Sequence, residues 1–130
     1  MFTVHNPSSI VAPLSHYSHA IKVPPNAEWL YLAGQVGIGA DGKLAEGFEA
    51  QSDIVWTNIG AILEDAGMGF EHLVKVNIYL TDTADIPASR TLRDKYLGDL
   101  KKPPAATLAV ISQLANPDFL VEIEGIAAKA

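Results

Sequence analysis

The chain has no cysteine among its 130 residues, which removes disulfides, thiol nucleophiles and thiolate metal sites together. Basic residues are also scarce. Nine Lys and Arg stand against fifteen Asp and Glu, for a net charge of −6 and a pI near 5.0. These nine do not gather into the patch that a phosphate backbone requires, so no nucleic-acid partner is expected. No apolar run approaches the length of a membrane span, and the opening MFTVHNPSSIVAPLSHYSH has neither a basic n-region nor a long apolar core. The expectation is a soluble cytoplasmic protein with no membrane partner. The glycines between Gly34 and Gly42 lack the spacing of a dinucleotide or phosphate loop and no GK[ST] follows, so they are read as turn glycines. No serine lies in a G-x-S-x-G context, which argues against a serine hydrolase.

What is present is apolar. Hydrophobic residues make up 48% of the chain and the mean hydropathy is +0.16, high for a small monomer, which points to apolar surface buried between subunits. One domain spanning residues 1–130 is expected, long enough to bury a core without staples. Residues 1–16, punctuated by Pro7, Pro13 and three serines, have the composition of an irregular arm.

Ser18 to Val23 alternates as a strand does, and Pro24-Pro25-Asn26 reads as a turn leading into Glu28 to Val36, a second strand hairpin-paired with the first. Gly34 inside that strand marks either a bulge or a close approach to the backbone. From Gly47 to Ala66 the period becomes helical, with Val55, Ile59, Ile62, Leu63 and Ala66 on one face and Gly67 closing the C-terminus. Val74, Val76, Ile78 and Leu80 alternate with Lys75, Asn77, Tyr79 and Thr81 as a half-buried strand. Asp82 to Asp85 offer capping side chains, and Pro87 suits the first turn of a second helix running to about Leu97.

The stretch Pro103 to Ala127 reads as two buried strands. In the first, Ala106, Leu108 and Val110 fall on one face and Thr107, Ala109 and Ile111 on the other, which suggests a central position. In the second, Glu122 and Glu124 share one face of an otherwise apolar strand. Carboxylates there need a partner or water. They reach solvent or a lysine at a sheet edge, or one lines a cleft. The pattern as a whole predicts an α+β fold, one layer of sheet with two helices on one face. The other face, carrying residues such as Tyr79 or Leu108, would need a partner.

Other candidates are weaker. His16 and His19 form an H-x-x-H spacing, but at a loop-to-strand junction they do not converge, so no metal site is expected. Arg90 and Arg93, three apart on the second helix, read as a solvated helical face and as reserve candidates for an anionic ligand.

Five segments resemble a known family. His16-Tyr17-Ser18-His19-Ala20 is similar to PYSQA, Ala33-Gly34-Gln35-Val36 to SGQI, and Val74 to Asp82 to VKTTVYLTD. Pro104-Ala105-Ala106-Thr107 resembles PARS or PART, and Val121 to Ala127 resembles VEIEAIA. From about Pro7 to Lys129 the chain thus resembles the Rid (YjgF/RidA) family of reactive-intermediate deaminases, the endoribonuclease L-PSP type. The resemblance implies a chorismate-mutase-like fold and a homotrimer with clefts between subunits. It implies no cofactor and a small-molecule ligand: the family hydrolyses imines or enamines to a keto acid and ammonia. By the same resemblance Tyr17, Gly34 and Ala106 line the substrate site. Thr107 and Glu122 are the candidate catalytic residues, Glu122 as the water-positioning carboxylate and Glu124 as a structural one.

One departure stands out. The family's carboxylate-holding arginine falls on Ala106, and its glutamate four residues on falls on Val110. A guanidinium gives about 1.5 to 3 kcal/mol per hydrogen bond to an ion, and a methyl group gives none. The expected activity is therefore not standard 2-iminopropionate deamination. Hydrolysis of a related imine-like compound comes first, a non-catalytic binding or regulatory module second, and an endoribonuclease or translation inhibitor last.

Overall fold

In the computed structural model, which describes residues 1–130, six strands and two helices follow the order β1 (Thr3–His5), β2 (Ala20–Lys22), β3 (Glu28–Gln35), α1 (Phe48–Asp65), β4 (Leu73–Leu80), α2 (Ile86–Leu97), β5 (Ala105–Val110) and β6 (Val121–Lys129). Four of them form a mixed sheet in the order β3-β6-β4-β5. β6 runs antiparallel to both of its neighbours, and β5 lies parallel to β4 at the edge. The α+β expectation holds, with α1 and α2 against one face.

The helix termini follow their chemistry. α1 is entered through Gly47 at φ 87° and left through Gly67 at φ 71°, backbone that a side chain would strain. Past that exit, Gly67 N–H donates to Glu64 O at 2.9 Å and Met68 N–H to Leu63 O at 2.8 Å, satisfying carbonyls the helix leaves open. A short 3₁₀ turn at Thr83–Asp85, its first amide region held by the Asp82 carboxylate accepting from Ala84 N–H at 2.9 Å, feeds α2 with Pro87 in its first turn.

Three strand expectations need correction. β2 does not form a hairpin with β3; it pairs with β1, Val4 opposite Ile21. The arm expected to be irregular thus contributes a strand, drawn in by Phe2, which is 5% exposed. β5 is an edge strand rather than a central one. The loop over residues 111–120 carries the chain across the sheet, so that β6, not β5, occupies the middle. Small side chains on both faces of β5 reflect a cleft on one side, described below, rather than double burial. Finally, Leu108 pairs in register with Ile78 and so lies on the helix-covered face, not the open one.

The core lies between α1 and the central strands. Val55, Trp56, Ile59 and Leu63 pack on Val76, Ile78 and Leu80 of β4 and on Val121, Ile123 and Ala127 of β6. In β4 the register shifts between Leu73 and Lys75, so Leu73 is buried in place of the expected Val74. The opposite face carries Trp29 (51% exposed) and Tyr31 (75% exposed), with Asn77, Tyr79, Glu122 and Glu124 beside them by register.

α2 is tied to α1 at two levels. Trp56 stacks on Tyr96 with ring centroids 6.1 Å apart. Outside that stack, the Asp53 carboxylate accepts from Lys95 Nζ at 2.8 Å and from the Tyr96 hydroxyl. The Lys95 hydrogen bond first, then that of Tyr96, holds the Asp53 carboxyl below its ordinary value. A depressed carboxyl adds stability above its unfolded pKa of about 4 and loses it as pH falls through the lower folded value. Asp53→Asn should therefore destabilise the protein near neutral pH by under about 1 kcal/mol, since the pair is exposed. In urea titrations the gap from wild type should close below about pH 4.

Candidate functional site

The segment that reaches the cleft edge is fixed at several points. Ser18 Oγ donates to Pro103 O at 2.6 Å and its N–H donates to Pro104 O at 3.2 Å, fastening the segment beside the start of β5. His16 Nε2 lies 3.0 Å from Leu97 O at the end of α2. The Tyr17 hydroxyl accepts from Leu14 N–H at 3.2 Å, curling the segment into a lip. His19 Nε2 contacts Val11 O at 2.6 Å. The two histidines thus serve different backbone carbonyls.

Under that lip a cleft of about 410 Å³ opens between α2 and the edge of the sheet, with Tyr17, Ala106, Leu108, Ile78, Arg90 and Arg93 among its walls. It is apolar with a few polar groups at its margin, the usual make-up of a small-molecule site. A second cavity of about 440 Å³ lies where Phe2, Lys102 and Lys129 meet. Two of its three lysines are committed to backbone carbonyls, Lys102 to Phe2 O and Lys129 to Gly67 O, and it contains none of the candidate residues.

The candidate residues divide between the two faces of the sheet. Tyr17 and Ala106 meet in the cleft. Gly34, Thr107 and Glu122 do not join them. Thr107 alternates with Ala106 and faces the open side, where its Oγ1 accepts from Lys75 Nζ at 2.8 Å. Glu122 pairs with Tyr79 across β6 and β4 on that same side, and its carboxylate lies against Gly34. A Cβ built on Gly34 would sit 2.2 Å from Glu122 Oε2. Of the two readings of Gly34, close approach therefore applies, next to a break in the β3–β6 register between Leu32 and Gln35.

The two glutamates have different surroundings. Glu124 Oε1 accepts from the Tyr79 hydroxyl at 2.6 Å and from Asn77 Nδ2 at 3.4 Å. That hydrogen bond, then burial and the charges of Glu124 and Glu122, raises the Tyr79 phenol above its ordinary value. Glu124 is thus held by neighbouring side chains, whereas Glu122 rests against bare backbone at Gly34. Leu108 is a cleft wall that the sequence analysis missed. Its signal was present, since it stands two residues from Ala106 on one strand and must share its face.

A family model described as endoribonuclease L-PSP matches residues 8–129. The chain belongs to this family, the Rid or YjgF family. A RutC family protein of Aquifex aeolicus is 37% identical over 119 residues, 90% of this chain and 91% of the relative. Among solved structures, the Rid family protein YyfB of Yersinia pestis, itself of unknown function, superposes with a TM-score of 0.89 at 26% identity over 98% of both chains. RidA of Psychrobacter sp. PAMC 21119 gives 0.72 at 34% identity over 89% of this chain and 90% of that one. The expected Rid fold is thereby established.

Gly34→Ala separates a structural from a functional role for this contact. The clashing atoms belong to a flexible side chain, and Gly34 is not at positive φ. The substitution should therefore displace the Glu122 carboxylate and leave the protein folded. A melting temperature within a few degrees of wild type, with altered chemical shifts at Glu122 and Tyr79, is the expected result.

Proposed function

We propose that this Rid protein binds a small metabolite in the Tyr17–Ala106 cleft and hydrolyses an imine- or enamine-like compound there, as a homotrimer without a cofactor. The observation that carries this is the division of the site: one face offers an apolar cleft with no carboxylate on its walls, the other a carboxylate set against a glycine. If Glu122 and Gly34 of one subunit border the cleft of the next, two incomplete halves become one site. The same packing would cover Trp29 and Tyr31.

The chemistry asked of such a site is modest. Water adds to the C=N carbon, a carboxylate passes one proton of that water to nitrogen and then the proton of the new hydroxyl, and ammonia leaves as the carbonyl forms. Glu122 is the residue for that proton, Tyr17 closes the cleft wall, and Thr107 is the remaining hydroxyl on β5. Ala106 gives no grip on a carboxylate attached to the imine carbon. That observation favours a second reading, a binding or regulatory module that keeps the cleft without the turnover. Ribonuclease activity is disfavoured by the net charge of −6.

Two measurements test the proposal. Sedimentation should give about three times the chain mass of 13.9 kDa, and a monomer at micromolar concentration would leave the half-sites apart and sink the assembled site. With 2-aminoacrylate generated in the assay, turnover should be weak beside that of arginine-bearing relatives. Glu122→Gln should lower what turnover there is by about a hundredfold, the scale of general acid–base catalysis, with fold and assembly intact. Undiminished turnover in that variant would remove Glu122 from the chemistry, and no turnover by wild type would favour the binding module.

A further inference from the structure

The only two arginines of the chain, Arg90 and Arg93, both border the cleft that Tyr17 and Ala106 define. They stand three residues apart on α2 and so share a helix face. No acidic side chain lines the cleft with them, although acidic residues outnumber basic ones fifteen to nine in the chain. Apart from Ser15, whose hydroxyl Arg93 engages, the remaining walls are mostly apolar, Ile78, Leu108 and Ala106 among them. A charge beside such walls is screened less than one in open water.

The two arginines are in different states. Arg93 is 6% exposed. Its Nε and Nη2 donate to Asp94 Oδ1 at 3.1 and 3.0 Å, and its Nη1 donates to Ser15 Oγ at 3.2 Å. It is a strut that holds the lip carrying Tyr17 against α2. Arg90 is exposed and takes part in none of the ion pairs of the chain. Its fork of N–H donors is spent on no other side chain, and it borders the cleft.

We infer that Arg90 is the anion anchor of this cleft, gripping the carboxylate or phosphate of a small metabolite from the α2 wall, where β5 presents only the apolar side chains of Ala106 and Leu108. This rests on the cleft being the ligand site and narrows the ligand to a molecule bearing an oxyanion. A planar guanidinium suits either oxyanion through paired hydrogen bonds. The change of wall also bears on ligand shape. An anion held from β5 lies against the sheet, and one held from α2 lies across the cleft from it.

Propanoate, glutarate and inorganic phosphate, titrated calorimetrically into the intact protein at low and high salt, test the assignment. Wild type should bind at least one of them, more weakly at high salt, and the carboxylate and phosphate arms tell which oxyanion is preferred. Arg90→Ala should weaken that binding about tenfold or more, the scale of one lost charge-assisted hydrogen bond. Arg90→Lys should recover part of it through charge alone. Removal of an exposed, unpaired side chain should leave the melting temperature unchanged. The same variants are assayed for imine turnover. Anion binding that depends on Arg90 without turnover in any variant supports the anchor and defeats the catalytic proposal. Turnover in wild type with anion binding indifferent to Arg90→Ala supports catalysis and overturns the anchor. Failure of wild type to bind any of the three anions at millimolar concentration also overturns it.

Discussion

A β-strand sends successive side chains to opposite sides, and in this molecule helices roof only one side of the four-stranded sheet. Residue parity along a strand therefore decides whether a side chain joins the core or stands on the open face. On β6, Val121, Ile123 and Ala127 pack under α1 while Glu122 and Glu124 face outward. On β5 the same rule sends Ala106 to the cleft and Thr107, one residue on, to the Lys75 ammonium. Ladder bonds on both sides of β4 and β6 make a slip of either strand expensive. The site inherits its division from this arrangement, and no side-chain rotation could bring Thr107 into the cleft beside Ala106.

Much of this was legible in the sequence because periodicity is local. The α1 stripe from Val55 to Leu63 and the alternation from Val76 to Leu80 needed no knowledge of the rest of the chain. Pairing was less legible, because it depends on partners far apart in sequence. Nothing within Ala20–Lys22 says that it will choose Thr3–His5 over the strand just after it, and nothing within Ala105–Val110 says that β6 will take the central place. For the candidate site, motif resemblance singled out Tyr17, Gly34 and Glu122. Only the structure shows Gly34 lying against the Glu122 carboxylate, a contact between residues 88 positions apart. Arg90 and Arg93 were visible as a pair, but the cleft they border was not.

The cleft illustrates how a change of chemistry can be absorbed without a change of fold. Its lip is held by backbone carbonyls and by Arg93, through His16 to Leu97, Ser18 to Pro103 and Ser15 to Arg93. None of these struts uses the side chain at position 106. The hydrogen bonds that hold the lip are therefore independent of the side chain at position 106. α2 is itself held by the Trp56–Tyr96 stack and by Asp53, which lie apart from the cleft.

The central position of β6 has a consequence for how the molecule comes into being. β6 follows every other strand in the sequence, yet β3 and β4 meet only through it. During synthesis the helices and the β4-α2-β5 unit can form early from local contacts, but β3 has no ladder partner until residues 121–129 have left the ribosome. Until then its Trp29 and Tyr31 belong to an unpaired, aromatic strand, a surface prone to premature association. Sheet closure is thus a late, long-range event, in which β6 joins β3 on one side to the β4–β5 pair on the other.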